Sequence, residues 1–454
     1  MKENANQHRF TRRSFLGLTG SAGLVGVTGC AGFPAIVSGR NLNSRICHAA
    51  IGVGGMGLAD LNGLRAHRDI HIAALCDVDA NHLAAAKNLC PGARIYRDAF
   101  EMMAHEGAAI DSVNVSTPDH THAQYVLEAL RRGLNVYGQK PLCHDLADCR
   151  KIRSLAAEKS AVTQMGTQIM AWECNRRTVA ALKAGMIGEV CHVWLFSTRR
   201  PEPDAHYFAW PLKEDPIPAT LDWKLWLGPA AYRPYAEKVY HPRMWRRWRD
   251  FGSSWLGDLA LHLMSPVWSG LGLGAKAPES VVAEISDDDW TAAQREQFWP
   301  STSHVTWRLP GVKASGMKPI TVEWCDGFDN VAFRMEPKFM PPAFLQDIAA
   351  LTPLGALPRE GAVVDGSEGW LVATHVGKEP YLVMKDGSKA EASPFLEPSP
   401  THWTEFIDCC LSGAKATSDF SWTTYLTEMG LMGNAAMLKP GVVLKWNSEK
   451  GVLA

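Results

Sequence analysis

The sequence predicts an α/β protein of two domains behind a short leading segment, on three observations. The chain has 454 residues, more than one hydrophobic core comfortably holds. Between residues 44 and 77, a short apolar run, a glycine-rich turn, a helical pattern and a second apolar run follow in order. Beyond residue 190, strand-like runs recur among helical stretches. The composition, 46% apolar and 20% charged, is that of an ordinary folded chain. Basic and acidic residues nearly balance, 46 against 47, which argues against nucleic acid as a partner.

The leading segment, 1–40, reads as an address. Thr11-Arg12-Arg13-Ser14-Phe15-Leu16 precedes an apolar, glycine-rich run to Val27. A charged stretch followed by a short apolar one is a signal peptide, and paired arginines before Phe-Leu point to twin-arginine export. The run is too short and too rich in glycine to span a membrane comfortably. Val27-Thr28-Gly29-Cys30 resembles a lipoprotein cleavage box. Cleavage there leaves Cys30 as a lipid anchor, and cleavage elsewhere in 28–40 releases a soluble protein. Either places the protein outside the cytoplasm, periplasmic or membrane-anchored. The eleven cysteines are scattered without a paired CxxC array, so they read as buried thiols. No metal site is apparent.

Residues 41–165 form the first domain. Residues 44–51 make an apolar strand that runs directly into Gly52-Val53-Gly54-Gly55-Met56-Gly57. A helix over 58–67 and a strand over 70–76 follow, closed by Asp77. This is the order of a Rossmann dinucleotide site. Gly52 permits the tight turn, Gly54 and its neighbours Gly55 and Met56 let the backbone approach a pyrophosphate, and Gly57 lets helix pack on strand. Asp77, twenty residues beyond Gly57, is placed to bind the adenosine ribose. Its charge repels a 2′-phosphate, which favours NAD over NADP. A further strand over 110–116 ends at Thr117-Pro118, then come His120, His122, a helix over 123–132 and a strand over 134–137 running into Gly138-Gln139-Lys140-Pro141. Strand C-termini line the ligand crevice of such sheets, so Thr117 and Lys140 should face the cofactor. His120 is a weaker candidate, since an isolated histidine is more often structural.

The glycine motif, Ser116-Thr117-Pro118-x-His120-x-His122-Ala123, and 133–141 ending in Lys140-Pro141 together resemble the Gfo/Idh/MocA oxidoreductases, the family of glucose–fructose oxidoreductase and inositol dehydrogenase. The resemblance continues through 185–190 and Gly257-Asp258-Leu259-Ala260-Leu261-His262, and so covers most of 44–440. It implies a second, α/β domain over 166–454, built on an open, largely antiparallel sheet. Suitable strands lie at 190–198, 280–285, 305–309, 320–324, 370–374 and 381–384, and closing helices at 402–411 and 425–438. Subunit contact through that sheet, and hence a homo-oligomer (dimer or tetramer), is also implied. One departure stands out. Gln139 replaces the family's usual glutamate before Lys140, and losing that charge should, if anything, lower the lysine's pKa.

The resemblance assigns Lys140, Asp258 and His262 to the reacting hydroxyl. Asp258 and His262 stand at i, i+4 on an expected helix start and so share a face. Hydride loss from a carbinol carbon requires the hydroxyl proton to leave, a task suited to a histidine titrating near neutrality. Lys140 can stabilise the developing oxyanion. Between the shared motifs, 201–251 is rich in tryptophan, proline and arginine. Trp245, Arg246 and Trp248 there, with Arg176 as a weaker candidate, could stack on or fork around a sugar. The alternative is that these tryptophans only pack the domain edge.

An exported enzyme finds no dependable pool of free nucleotide, so it should keep its cofactor and close each cycle redox-neutral. The first expectation is therefore an NAD-dependent oxidoreductase of a sugar or cyclitol hydroxyl. A redox-neutral glycoside hydrolase ranks second, because the exported NAD-dependent glycosidases usually lack the Lys-Pro retained here. A non-catalytic sugar-binding protein ranks third.

Overall fold

The computed structural model describes residues 45–197, 211–286, 291–326, 339–388, 396–448 and 450–454. The leading segment with Arg12, Arg13 and Cys30, and the start of the tryptophan-rich stretch, lie outside them.

In the first half, strand and helix alternate: β1 (Ile46–Ile51), α1 (Met56–Arg65), β2 (Ile70–Cys76), α2 (Ala80–Leu89), β3 (Arg94–Tyr96), α3 (Ala99–Glu106), β4 (Ser112–Val115), α4 (Asp119–Arg131), β5 (Asn135–Gly138), α5 (Leu146–Lys159) and β6 (Thr163–Met165). Such alternation forces parallel pairing. The six strands lie in the order β3-β2-β1-β4-β5-β6, all parallel. Order reverses between β1 and β4, so a crevice opens beyond their C-terminal ends.

The second half begins with α6 (Glu173–Lys183), β7 (Val190–Ser197), α7 (Trp223–Leu227), α8 (Leu261–Leu271), β8 (Ser280–Ile285), α9 (Ala292–Gln297), β9 (Ser303–Leu309) and β10 (Ile320–Asp326). It continues with α10 (Phe344–Ala350), β11 (Glu360–Gly366), β12 (Gly369–Thr374), β13 (Tyr381–Met384), α11 (His402–Ser412), α12 (Phe420–Met437), β14 (Leu444–Asn447) and β15 (Val452–Leu453). Its nine strands run β13-β12-β11-β7-β10-β9-β8-β14-β15. Among the described residues, only the β7–β10 pair of this sheet is parallel and the other pairs are antiparallel. The sheet is thus open and largely antiparallel, as the resemblance implied. Strand β11, which carries no strong period-2 pattern, and the short β14 and β15 are additions to the expected set.

The two closing helices return to the first half. Trp403 of α11 lies against Gly63 of α1, where a Cβ would come within 2.3 Å of its ring. Phe406 and Ile407 join the core beneath β1 and β2. Helix α12 is tied to α5 by Arg153 and the buried Glu428, 2.9 Å apart. Its Met429 carbonyl accepts the Trp307 indole N–H of β9 (2.9 Å).

Candidate active site

A cavity of about 1270 Å³ runs from the glycine loop to the start of α8. At one end the loop follows its sequence logic. Gly52 takes φ +79°, and a Cβ on Gly57 would lie 2.2 Å from the Gly52 carbonyl, so helix and strand approach only because neither carries a side chain. Gly55, the N-cap of α1, brings no side-chain cap, and the first turn holds no acidic residue. The helix N-terminus is therefore left for an anion. Asp77 accepts the Val53 N–H (2.9 Å) and the Asp79 N–H (2.9 Å). The residues fit a dinucleotide: a side-chain-free loop at a helix start, with a carboxylate at the next strand's end. One feature is unexpected. The His82 ring lies over Gly54, where a Cβ would meet it at 2.3 Å, and contacts Asp77 Oδ1 at 3.3 Å.

At the other end, Lys140 donates to Asp258 Oδ1 (2.5 Å) and to the Asp258 carbonyl (2.7 Å). Arg246 donates to the same Oδ1 (3.2 Å) while its guanidinium lies 4.3 Å above the Trp245 ring. Burial by itself would push the Asp258 carboxyl up. Lys140 and Arg246 outweigh that and hold it well below the usual carboxylate range. Asp258 stands not in an α-helical turn but in a π-helical one, Leu256–Ala260, that leads into α8. Such turns are rare and recur at functional sites. The entry is pinned from two sides. Asn434 of α12 donates to the Ser253 carbonyl (3.0 Å), and Asp119 of α4 accepts the Ser253 N–H (3.0 Å).

His262 is buried, with Nδ1 lacking a protein partner. Burial, reinforced by the Lys140 charge, pushes it far below its ordinary 6.5. This corrects the expectation of a histidine titrating near neutrality: the imidazole is neutral, with a lone pair to offer. Its neighbour, not foreseen from sequence, is His375, whose ring centre is 5.8 Å away. His375 Nδ1 contacts Glu360 of β11 (2.7 Å), and its Nε2 is buried without a protein partner. No local pattern could have flagged His375, because only the pairing of β11 with β12 carries it to the site.

Four other expectations need correction. Helix α4 begins at Asp119 rather than at 123, so His120 and His122 sit in its first turn. His120 turns away from the cavity into an aromatic cluster, with Trp226 and Phe251 ring centres 5.4 and 5.0 Å away and its Nε2 on the Trp226 carbonyl (3.0 Å). His122 lines the cavity beside Thr117 instead. Arg176 spends its guanidinium on the Glu397 carbonyl (2.8 Å), outside the cavity lining. Trp248 is fully buried against Phe298, its indole N–H on the Val239 carbonyl (3.1 Å). Of the aromatic stretch 211–251, most rings, Trp223, Trp226 and Trp245 included, form a small core of their own, and Trp226 also lines the cavity. Trp245 and Arg246 face the cavity.

Gln139 does not act on Lys140. Its amide donates to the buried Asp60 (2.8 Å), which also accepts the Ser116 hydroxyl (2.7 Å) and the Trp403 indole N–H (2.9 Å). Burial raises the Asp60 carboxyl to about 6. A carboxylate already occupies this spot, which gives the glutamine its physical reason.

Residues 47–167 match the Gfo/Idh/MocA model described as "Oxidoreductase family, NAD-binding Rossmann fold", and 206–298 match that described as "Oxidoreductase family, C-terminal alpha/beta domain". The D-apiose dehydrogenase of Paraburkholderia graminis is 36% identical over 138 residues, 30% of this chain and 36% of that protein. An inositol 2-dehydrogenase of Gluconacetobacter diazotrophicus is 33% identical over 152 residues, 32% of this chain and 43% of that protein. The chain thus spans less than half the length of either relative. The fold is shared with the WlbA dehydrogenase of Bordetella pertussis, solved with NADH and UDP-GlcNAcA. The TM-score is 0.59 at 14% identity, over 89% of this chain and 99% of that one. Two models of one family, matched in order along the sequence, support a likeness of the chain to the Gfo/Idh/MocA oxidoreductases.

Proposed function

We propose that the protein is a nicotinamide-dependent oxidoreductase acting on a hydroxyl of a sugar or cyclitol, with its nucleotide kept bound through the cycle. The observation that carries this reading is one continuous cavity joining a phosphate-fitted glycine loop to Lys140 and His262. Bound NAD would supply the hydride acceptor, held by residues 52–57, Asp77 and Thr117. At the substrate end, His262 Nδ1 and His375 Nε2 are two buried nitrogens without protein partners. They suit a ligand that brings hydroxyls. His262, held neutral, takes the hydroxyl proton as the carbonyl forms. Lys140, anchored by Asp258, presents its charge to the developing oxyanion. Arg246 and Trp245 offer a fork and a ring face to the sugar.

Asp77 supports NAD rather than NADP, since a 2′-phosphate would meet its carboxylate. The covering of the adenosine side by the aromatic stretch supports retention of the nucleotide. The Asp79–Leu221 bridge and the Arg97 hydrogen bond to the Thr220 carbonyl (2.9 Å) fasten it there. Twin-arginine export, a lipid anchor at Cys30 and homo-oligomerisation through the second sheet belong to the same reading.

The test uses protein purified without added nucleotide. Denaturation should release NAD, and sugars added to the intact protein should reversibly change the absorbance of reduced nicotinamide. Recovery of NADP would overturn the role given to Asp77. Absence of nucleotide, with no response even when NAD is supplied, would overturn the proposal and leave a sugar-binding protein.

A further inference from the structure

Away from the reacting end, the fold brings together three side chains that the sequence keeps 162 positions apart at the widest. Asp79 and His82 come from the start of α2, and His241 from the aromatic stretch. One ligand atom from each lies within 4.8 Å of the others. His241 Nε2 is 3.0 Å from Asp79 Oδ2, and the His82 and His241 ring centres are 5.4 Å apart. Two ligands at bond lengths near 2.1 Å and a tetrahedral angle stand roughly 3.4 Å apart. The His241–Asp79 edge is therefore already close to that of a four-coordinate site.

The surroundings fit as well. Asp79, His241 and His82 are mostly buried, with side-chain exposures of 11%, 13% and 27%. His82 and His241 line the cavity, which leaves a position open for water or a ligand. His82 Nδ1 lies 3.3 Å from Asp77, so a ring that presents Nε2 to an ion keeps a carboxylate behind it. That outer partner fixes the tautomer and raises the basicity of a metal-bound imidazole.

We propose that Asp79, His82 and His241 bind a divalent transition-metal ion of the zinc type, linking the first half of the chain to the aromatic stretch. Two imidazoles and one carboxylate, with an open fourth position, suit zinc or cobalt and not magnesium or calcium, which demand more oxygen ligands. The ion would also give His82 a seat away from Gly54. That consequence alone rests on the nucleotide reading; the site itself does not.

The experiment uses the full chain, stripped with a chelator and free of nucleotide, so its outcome is independent of any turnover. Cobalt(II) should give the visible bands of a tetrahedral N/O site, saturating at one ion per chain, and zinc should displace it. Asp79→Asn keeps the helix cap, since asparagine caps as well as aspartate. Asp79→Asn and His241→Gln should each weaken binding by roughly tenfold or more. His105→Gln, on an exposed histidine outside the cluster, should leave it unchanged. Near-ultraviolet circular dichroism checks that each variant is folded. No saturable binding by the parent chain would overturn the proposal. So would folded Asp79→Asn and His241→Gln variants that bind as the parent does.

Discussion

The two ends of the cavity each hold a carboxylate among basic side chains, but the bases differ in kind. Asp258 faces a lysine and an arginine. Asp77 and Asp79 face the imidazoles of His82 and His241. The Asp77 hydrogen bond raises the His82 pKa, burial opposing it. Burial acts against the charge of Asp79, yet its His241 hydrogen bond prevails and its carboxyl falls below the usual value. The reacting end is thus fixed by two cationic side chains on one carboxylate, while the nucleotide end sets imidazoles against its carboxylates. An oxyanion must meet the same field at every turnover.

The largest expected effect tests the fixed end. Lys140→Ala or His262→Asn should lower turnover by about 10²–10⁴-fold with the fold intact. A loss under roughly tenfold for both would sink their assignment. Next come the aromatic rings. Trp248→Ala should cost about 3–5 kcal/mol of stability in a denaturant melt. Trp245→Ala removes a ring of the same buried cluster and should cost stability too, but it should also raise the substrate KM, which Trp248→Ala should not. If the two variants behave alike, the division between core ring and cavity ring is wrong.

A third prediction concerns acid. Burial pushes His48 and His402 down to about 4 and His120 to about 3, from 6.5. Each binds a proton less readily folded than unfolded, so the stability it lends is full above pH 6.5 and lost as pH falls toward 4. Asp60 and Asp326, pushed by burial up to about 6, act oppositely. Their contribution is full below pH 3.8, lost as pH rises through 6, and so returns only part of the loss. The melting temperature should fall between pH 6.5 and 4, and a flat profile would mean that these imidazoles are not buried in solution. The smallest effect comes from Gln139→Glu, which sets a second carboxyl beside Asp60. Stability should drop by about 1–3 kcal/mol at pH 8 and recover toward pH 5, as a shared proton relieves the pair.

Legibility followed sequence distance. The glycine loop and Asp77 lie within one strand–helix–strand unit, where local turn geometry dictates who meets whom. Lys140 could be placed because it ends a strand at the crevice. Asp258 and His262 could be paired because they share one helical segment, although the π turn was not foreseen. His375, Asp60 and the meeting of His82 with His241 were illegible, since each depends on segments brought together by tertiary packing. His120 misled for the same reason. Its position beside a ligand-lining loop was right, but the aromatic cluster claimed its ring.

Helix α11 bears on how the chain comes into being. The first half cannot hide Asp60 or complete the layer over β1 and β2 until Trp403, Phe406 and Ile407 arrive. A chain ending before α11 would therefore carry a nucleotide-binding half with an open flank. The native packing thus makes completion of the first half depend on residues near the end of the chain. A truncated or stalled product should persist as bait for chaperones and proteases, never as a smaller working protein.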